Sequence, residues 1–271
     1  MKSKLNFPLI ERGLPTKNSK AIYDKFSEEI LNLYKEPEDW RGFREGHGER
    51  LCFDLDYADK FFKPDDRLLE IGSLPYFLTV PLMQKYNVSA LDQKNNKQLA
   101  PQITDKYGIN SLLCDIEYEA IPAIDEGFDG IIMNEVFEHL RIDLIFTMRE
   151  VFRVLRPGGT LLLSTPNLRS LMGIYNLLFR GESWSICQGL YQQYSWLEKC
   201  STMGHTREYT SVEVATFLKE IGFEIHGVIY RGRYRGFGHP ITKILPTFKP
   251  YFSIVAGKPL IAVNSVSQFN S

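Results

Sequence analysis

The sequence offers few of the markers that assign a protein at a glance. Only four cysteines occur in 271 residues, Cys52, Cys114, Cys187 and Cys200, and no two stand at a Cys-x-x-Cys or other metal-ligand spacing. Neither a disulfide scaffold nor a zinc module organises such a chain; the thiols read as reduced and mostly packed, and no metal is expected. Long apolar runs are missing as well. Nothing approaches the roughly 18 consecutive apolar residues of a membrane span, and the basic start Met1-Lys2-Ser3-Lys4-Leu5-Asn6-Phe7-Pro8 has no export-signal core. The expected location is the cytoplasm. An excess of one charge is absent too: 32 Lys and Arg against 33 Asp and Glu leave a formal net charge of −1, which argues against nucleic acid as the main partner. There are no internal repeats and no low-complexity tracts.

What is present is an apolar content of 44%, enough for a sizeable core, and a change of rhythm along the chain. After a proline-containing leader, Ser19 to Tyr34 carries Ile22, Tyr23, Phe26, Ile30, Leu31 and Leu33 at helical spacing. Pro37 to Gly48, interrupted by glycines, aromatics and a histidine, reads as a loop, and Glu49 to Phe62 as a second helix. From residue 67, short apolar runs alternate with helical stretches. The runs are Leu68 to Ile71, Val88 to Leu91, Leu112 to Cys114, Phe128 to Met133 and Thr160 to Ser164; the clearest helix is Leu140 to Leu155, stopped by Arg156-Pro157-Gly158-Gly159. Such alternation predicts a parallel sheet with helices on both faces.

Residues 166 to 210 break the alternation. They are too many for an ordinary connection and carry Tyr175, Phe179, Trp184, Tyr191, Tyr194 and Trp196, which predicts a helical insertion above the sheet. Helix Ser211 to Ile221 and strands Phe223 to Tyr230 and Tyr251 to Ala256 follow. The chain thus divides as one domain, with an N-terminal helical lid (1–62), a core (63–165 and 211–271) and a substrate cap (166–210).

One turn stands out, where the run Arg67-Leu68-Leu69-Glu70-Ile71 ends at Gly72. In an open α/β sheet such a strand-to-helix turn is where ligands bind. A dinucleotide needs Gly-x-Gly-x-x-Gly there, so that backbone can approach a pyrophosphate, but Leu74 and Tyr76 stand where further glycines would be. Asp92 ends the next strand, about 20 residues on, where an acid recognises ribose hydroxyls. Ribose recognition without a phosphate cradle points to a nucleoside ligand lacking phosphate, with S-adenosylmethionine the obvious candidate.

Over most of residues 67 to 258 the chain resembles class I S-adenosylmethionine-dependent methyltransferases. Glu70-Ile71-Gly72 is similar to the family's first motif, Asp92 to its ribose-binding acid, and Cys114-Asp115-Ile116-Glu117 to the segment beside adenine. Phe128 to Leu140 resembles the fourth-strand motif, and Arg153-Val154-Leu155-Arg156-Pro157-Gly158-Gly159-Thr160-Leu161 the turn before the fifth strand. The resemblance implies an α/β, Rossmann-like fold: a seven-stranded, mostly parallel sheet with an antiparallel last strand, plus the helical cap. It implies S-adenosylmethionine as cofactor, held by Glu70, Gly72, Ser73, Pro75, Tyr76, Asp92, Gln93, Asp115, Ile116, Asn134 and Glu135. The departure is Leu74, where family members usually carry a second glycine. The insertion after the fifth strand and the ending Lys258-Pro259 resemble bacterial methyltransferases of surface polysaccharides, which implies methyl transfer to an oxygen of a sugar, glycan or related small metabolite. No Asn-Pro-Pro-Tyr or Asp-Pro-Pro-Tyr follows the fourth strand, which disfavours methylation of a base amino group.

An alcohol nucleophile has a high pKa, so a general base is useful, and histidine titrates in the right range. His139, just past the fourth strand, is one candidate; its plainer reading is a helix-start residue bonded to backbone. His205 is the other, because a His-x-Arg-x-Tyr segment like His205-Thr206-Arg207-Glu208-Tyr209 occurs in the methyltransferases that the chain most resembles. The plainer reading there is an ion pair of Arg207 with Glu208 or Glu213. Substrate contacts are expected from Trp40, His47, Glu138, Arg207 and Tyr209. Arg231 and Arg233 join them from a connection, Arg231 to Pro240, that alternates cations with aromatics and glycine. Three alternatives share part of the pattern: a cofactor-binding scaffold without turnover, an NAD(P)-dependent oxidoreductase, and an RNA methyltransferase using the basic connection.

Overall fold

The computed structural model describes residues 15–260, apart from 188, 201, 202, 235 and 237; the leader and Arg235 of the basic connection therefore lie outside the described residues. Seven strands form: β1 (Arg67–Ile71), β2 (Asn87–Asp92), β3 (Asn110–Leu113), β4 (Phe128–Asn134), β5 (Leu155–Pro166), β6 (Glu224–Arg231) and β7 (Tyr251–Gly257). They make one sheet in the order β3-β2-β1-β4-β5-β7-β6. The first five run parallel, and β7 lies antiparallel between β5 and β6. This is the Rossmann-like arrangement expected from the alternation, with the antiparallel last strand.

The helices are α1 (Lys17–Leu31), α2 (Glu38–Phe61), α3 (Thr79–Leu82), α4 (Pro101–Tyr107), α5 (Leu144–Val154), α6 (Leu171–Tyr175), α7 (Leu190–Cys200), α8 (Ser211–Ile221) and α9 (Gly238–Ile244). Neighbouring strand residues face opposite sides of the sheet, and both sides are buried. Leu68, Val88, Ile132 and Leu162 pack with Tyr23, Ile30, Leu55 and Ala58 of α1 and α2. Their neighbours Leu69, Ile131 and Leu161 pack instead with Met148 and Val151 of α5 and with Val214 and Leu218 of α8. Burial on both sides is why these strands read as continuous apolar runs. Among the described residues no helix is long and apolar enough to cross a membrane.

Several boundaries differ from the sequence reading. The expected loop from Pro37 to Gly48 belongs to the continuous 24-residue helix α2. Packing decides this against the glycines' low helix propensity: a Cβ at Gly48 would stand 2.9 Å from Tyr23 Cε1, so the glycine lets α1 and α2 approach. These helices are a layer of the core, and one edge of α2 reaches the turn after β1. The helix expected from Leu140 starts at Leu144, because Asp143 caps it, accepting from Phe146 N at 2.8 Å. The insertion holds α6, one turn of π-helix over Asn176–Arg180, and α7.

Two features of β1 carry measurable consequences. Gly72, immediately after it, has φ +75°, and a Cβ there would collide with Val136 Cγ2. Gly72→Ala is expected to cost about 2 kcal/mol or more in urea unfolding, through the left-handed backbone and the clash together. Adding Val136→Ala should recover only the steric part; an unchanged unfolding midpoint in the single variant would refute this account of the turn. Glu70 lies buried within β1, and Thr79 Oγ1 donates to it at 2.6 Å. Burial pushes its carboxyl from about 4.5 up to about 8. Between those values the folded chain keeps a proton that the unfolded chain has released, so the contribution of Glu70 to stability is full below pH 4.5 and is lost as pH rises towards 8. Melting curves should show a decline across this window that Glu70→Gln flattens; a slope identical in the variant would mean that Glu70 ionises normally.

Candidate active site

The C-terminal ends of β1, β2 and β4 converge, and the turn after β1 lies over them. Gly72 N donates to Leu91 O at 2.8 Å, and the chain turns back through the cis Leu74–Pro75 bond and Tyr76, whose φ is +69°. Leu74, in place of the second glycine, packs its side chain against the core beneath α1 and α2. Asp92 fastens the loop: its carboxylate accepts from Ser73 Oγ and, at 3.3 Å, from Leu74 N. Burial raises the pKa of Asp92, and those two hydrogen bonds oppose the shift.

Two recesses meet at Gly72. The larger, about 250 Å³, is lined by Asp92, Gln93, Asp115, Ile116 and His139 among the expected residues, together with Asn96, Glu117, Val136, Leu140, Arg141, Leu197 and Met203. The smaller, about 110 Å³, is lined by Glu70, Ser73, Pro75, Asn134 and Glu135, with Phe43, Arg50 and Leu51 of α2. A wider hollow of about 420 Å³ between α1 and α2, edged by Lys20, Asp24 and Arg44, lies away from this convergence of strand ends. Tyr76 lines neither recess; its ring is buried in the core with Phe77.

A ligand with a nucleoside at one end and an amino acid at the other fits the joined recesses. Asp92, Gln93 and Asp115 edge the larger one, where Gln93 Nε2 donates to Asp115 Oδ2 at 3.2 Å. In the smaller one Arg50 pairs with Glu135 at 3.0 Å, both largely buried. The Nε of Arg50 is buried without an acceptor, as is the Nδ2 donor of Asn134. Such unmet donors suit a carboxylate, and Glu70 and Glu135 suit an ammonium. The residues present therefore fit S-adenosylmethionine: Asp92 would meet its ribose and Arg50 its carboxylate.

Behind the larger recess stands a polar cluster. Glu138 is fully buried; its Oε2 accepts from Thr165 Oγ1 at 2.9 Å, while Oε1 has no hydrogen-bond partner. Burial pushes the Glu138 carboxyl up to about 8, the charge of Glu135 adding to the effect. His139 Nδ1 lies 2.7 Å from Met203 O, and His205 Nδ1 lies 2.6 Å from Cys187 Sγ and 3.4 Å from Glu208 Oε1. The two rings are nearly perpendicular, with centroids 4.8 Å apart. Burial lowers the pKa of His139. Of the two histidines, His139 forms part of the cavity wall, and His205 sits behind it.

The remaining expected contacts fall elsewhere. Trp40 packs between Tyr34 and Phe43, and His47 lies 4.4 Å from the Phe43 ring, with burial lowering its pKa to about 4. Arg207 is exposed and pairs with Glu213, as its plainer reading had it; its guanidinium also covers the Tyr209 ring at 4.8 Å. Tyr209 itself is buried against Phe137 at 5.0 Å. Arg231 must be removed from the substrate set: it is 1% exposed and ion-paired with buried Asp54 of α2. Arg233 is exposed and pairs with Glu49 at 3.3 Å. Sequence reasoning missed Arg50 and Phe43, whose signal was hidden by reading the first half of α2 as a loop. On one helix, Phe43, His47, Arg50 and Leu51 fall on one face.

Comparison with known proteins accords with this geometry. A family model of the methyltransferase domain matches residues 43–228. No curated protein matches the chain. Among solved structures, an S-adenosylmethionine-dependent methyltransferase from Thermotoga maritima is 18% identical over 89% of this chain and 99% of its own, with a TM-score of 0.52. Another from Methanosarcina mazei is 20% identical over 76% of this chain and 98% of its own, at 0.53. The [4+2]-cyclase SpnF is also similar, 16% identical over 79% of this chain and 83% of its own, at 0.54, so fold alone does not decide the reaction. The family match spans well over half of the sequence, and the chain belongs to the methyltransferase domain family, with S-adenosylmethionine as its cofactor.

Proposed function

We propose that the protein methylates an oxygen of a sugar, glycan or related hydroxylated small metabolite, acting in the cytoplasm. When bound, the cofactor supplies an electrophilic methyl group on its sulfonium. What the chain must add is alignment of the acceptor, exclusion of water and removal of the hydroxyl proton. The observation that carries the reading is the state of His139. Its Nδ1 proton is committed to Met203 O, so the neutral ring, part of the cavity wall, leaves Nε2 free of a proton, 4.0 Å from Glu138 Oε1. An alcohol acceptor has to lose its proton as the methyl arrives, and such a group can take it.

The sugar class is supported by the insertion. Tyr175, Phe179, Tyr191, Tyr194 and Trp196 are all exposed on it, and aromatic faces of this kind stack on pyranose rings. The overall charge of −1 favours a small or glycan acceptor over RNA.

Two outcomes test the assignment. Asp92→Ala is expected to weaken S-adenosylmethionine binding by roughly 1 to 3 kcal/mol in calorimetry, through lost charge-assisted hydrogen bonds; unchanged affinity would place the ribose elsewhere. His139→Ala and His205→Ala should each lower kcat about a hundredfold or more while leaving cofactor affinity intact. The readout is labelled-methyl incorporation into hydroxylated acceptors, and a fully active double variant would end the proposal.

A further inference from the structure

We propose that Glu138 Oε1, His139 Nε2 and His205 Nε2 form a site for one divalent first-row transition ion of the zinc kind, with an open position towards the cavity. The sequence has no zinc-module spacing because the three ligands come from the end of β4 and from the segment before α8, brought together only by the fold. With Glu138 ionised, as a bound cation would hold it, all three atoms can turn a lone pair to one point. His139 Nδ1 must carry a proton to bond the Met203 carbonyl, which leaves its Nε2 as an acceptor 4.0 Å from Glu138 Oε1. His205 Nδ1 lies between Cys187 Sγ at 2.6 Å and Glu208 Oε1 at 3.4 Å; with its proton given to the Glu208 carboxylate, its Nε2 lone pair is turned to Glu138 Oε1 at 3.8 Å. Glu138 Oε1 is fully buried and has no hydrogen-bond partner. Three acceptors around one point, one of them an orphaned buried oxygen, are held together best by a cation.

The dimensions fit. A tetrahedral ion with ligands at about 2.1 Å keeps them about 3.4 Å apart, so the two spacings to Glu138 Oε1 need close by only about 0.5 Å, and the three ligand atoms all lie within 4.8 Å of one another. Each ligand is already oriented from behind, by the Met203 carbonyl, by Glu208 and by Thr165 Oγ1 on the far oxygen of Glu138. Outer partners of this kind fix the tautomer and raise the basicity of metal-bound histidines. Cys187 and Glu208 gather on the opposite side of His205, but Glu208 is occupied there by Ser185 N at 2.6 Å and by Ser185 Oγ, which makes that group a support. Two imidazoles and a carboxylate with one position left open is also the donor set of catalytic zinc.

The role, which rests on the proposed acceptor class, is to hold the hydroxyl at the open position. The ion lowers its pKa, the O–H bond breaks with its electron pair left on oxygen, and the proton passes to solvent water. In the loaded protein both histidines are then ligands, and the ion replaces them as the agent of activation.

The test reads the ion directly. The full-length chain, stripped with a chelator and still able to bind S-adenosylmethionine, is titrated with Co2+ and followed by d–d absorption. A band saturating at one equivalent is expected. It should be lost, or the affinity reduced at least about tenfold, in Glu138→Gln, His139→Ala and His205→Ala variants that keep cofactor binding; Glu208→Gln should weaken Co2+ by about 10- to 100-fold. Cys187→Ser should retain the band. No band in the stripped wild-type protein overturns the site, as does a band that survives His139→Ala but vanishes in Cys187→Ser. A normal Co2+ site in a protein inactive on every sugar or glycan would leave the ion in place and reject only the acceptor class.

Discussion

The close approach of Gly72 to Val136 is the constraint on which the site depends. Where the turn after β1 passes the segment after β4 there is no room for a side chain, and the backbone is left-handed. That contact opens one recess on each side of the glycine, the larger towards Asp92 and the smaller towards Glu135. The loop beyond is held from outside the turn: Asp92 bonds its start, and Leu74 and Tyr76 anchor it in the core. A second glycine would leave this loop free to sit against a ligand. Here Gly72 makes the turn, and the loop is held by Asp92 and by the burial of Tyr76.

A second theme is buried charge. Asp54 pairs with Arg231 and Arg50 with Glu135, both in the layer between α2 and the sheet. Removing such ions from water is costly, and pairing repays it only with good geometry, so these contacts are poor sources of net stability. Their effect is positional. The first pair joins the N-terminal helices to β6, and the second seats α2 at the amino acid end of the cleft.

The sheet was legible in the sequence because its central strands are covered on both faces and therefore read as unbroken apolar runs. Glu70, Gly72, Asp92 and Asp115 were legible for a related reason: a strand's end fixes where its next residue projects, whatever the helices do. The first half of α2 was not legible, since Gly42, Gly46 and Gly48 have the propensity of a loop and only the packing of Gly48 against Tyr23 explains them. Arg231 read as a solvent-facing cation because its partner, Asp54, lies 177 residues away in the chain. The meeting of Cys187 and Glu208 at His205 was equally invisible. Long insertions carry no period from which such meetings can be inferred.

The insertion touches both halves of the chemistry. Leu197 and Met203 line the nucleoside cavity, and the carbonyl of the same Met203 holds the ring of His139. Whatever the nucleoside does to the order of that segment is felt at the imidazole, and a molecule seated against the imidazole acts back on the nucleoside with the same free energy.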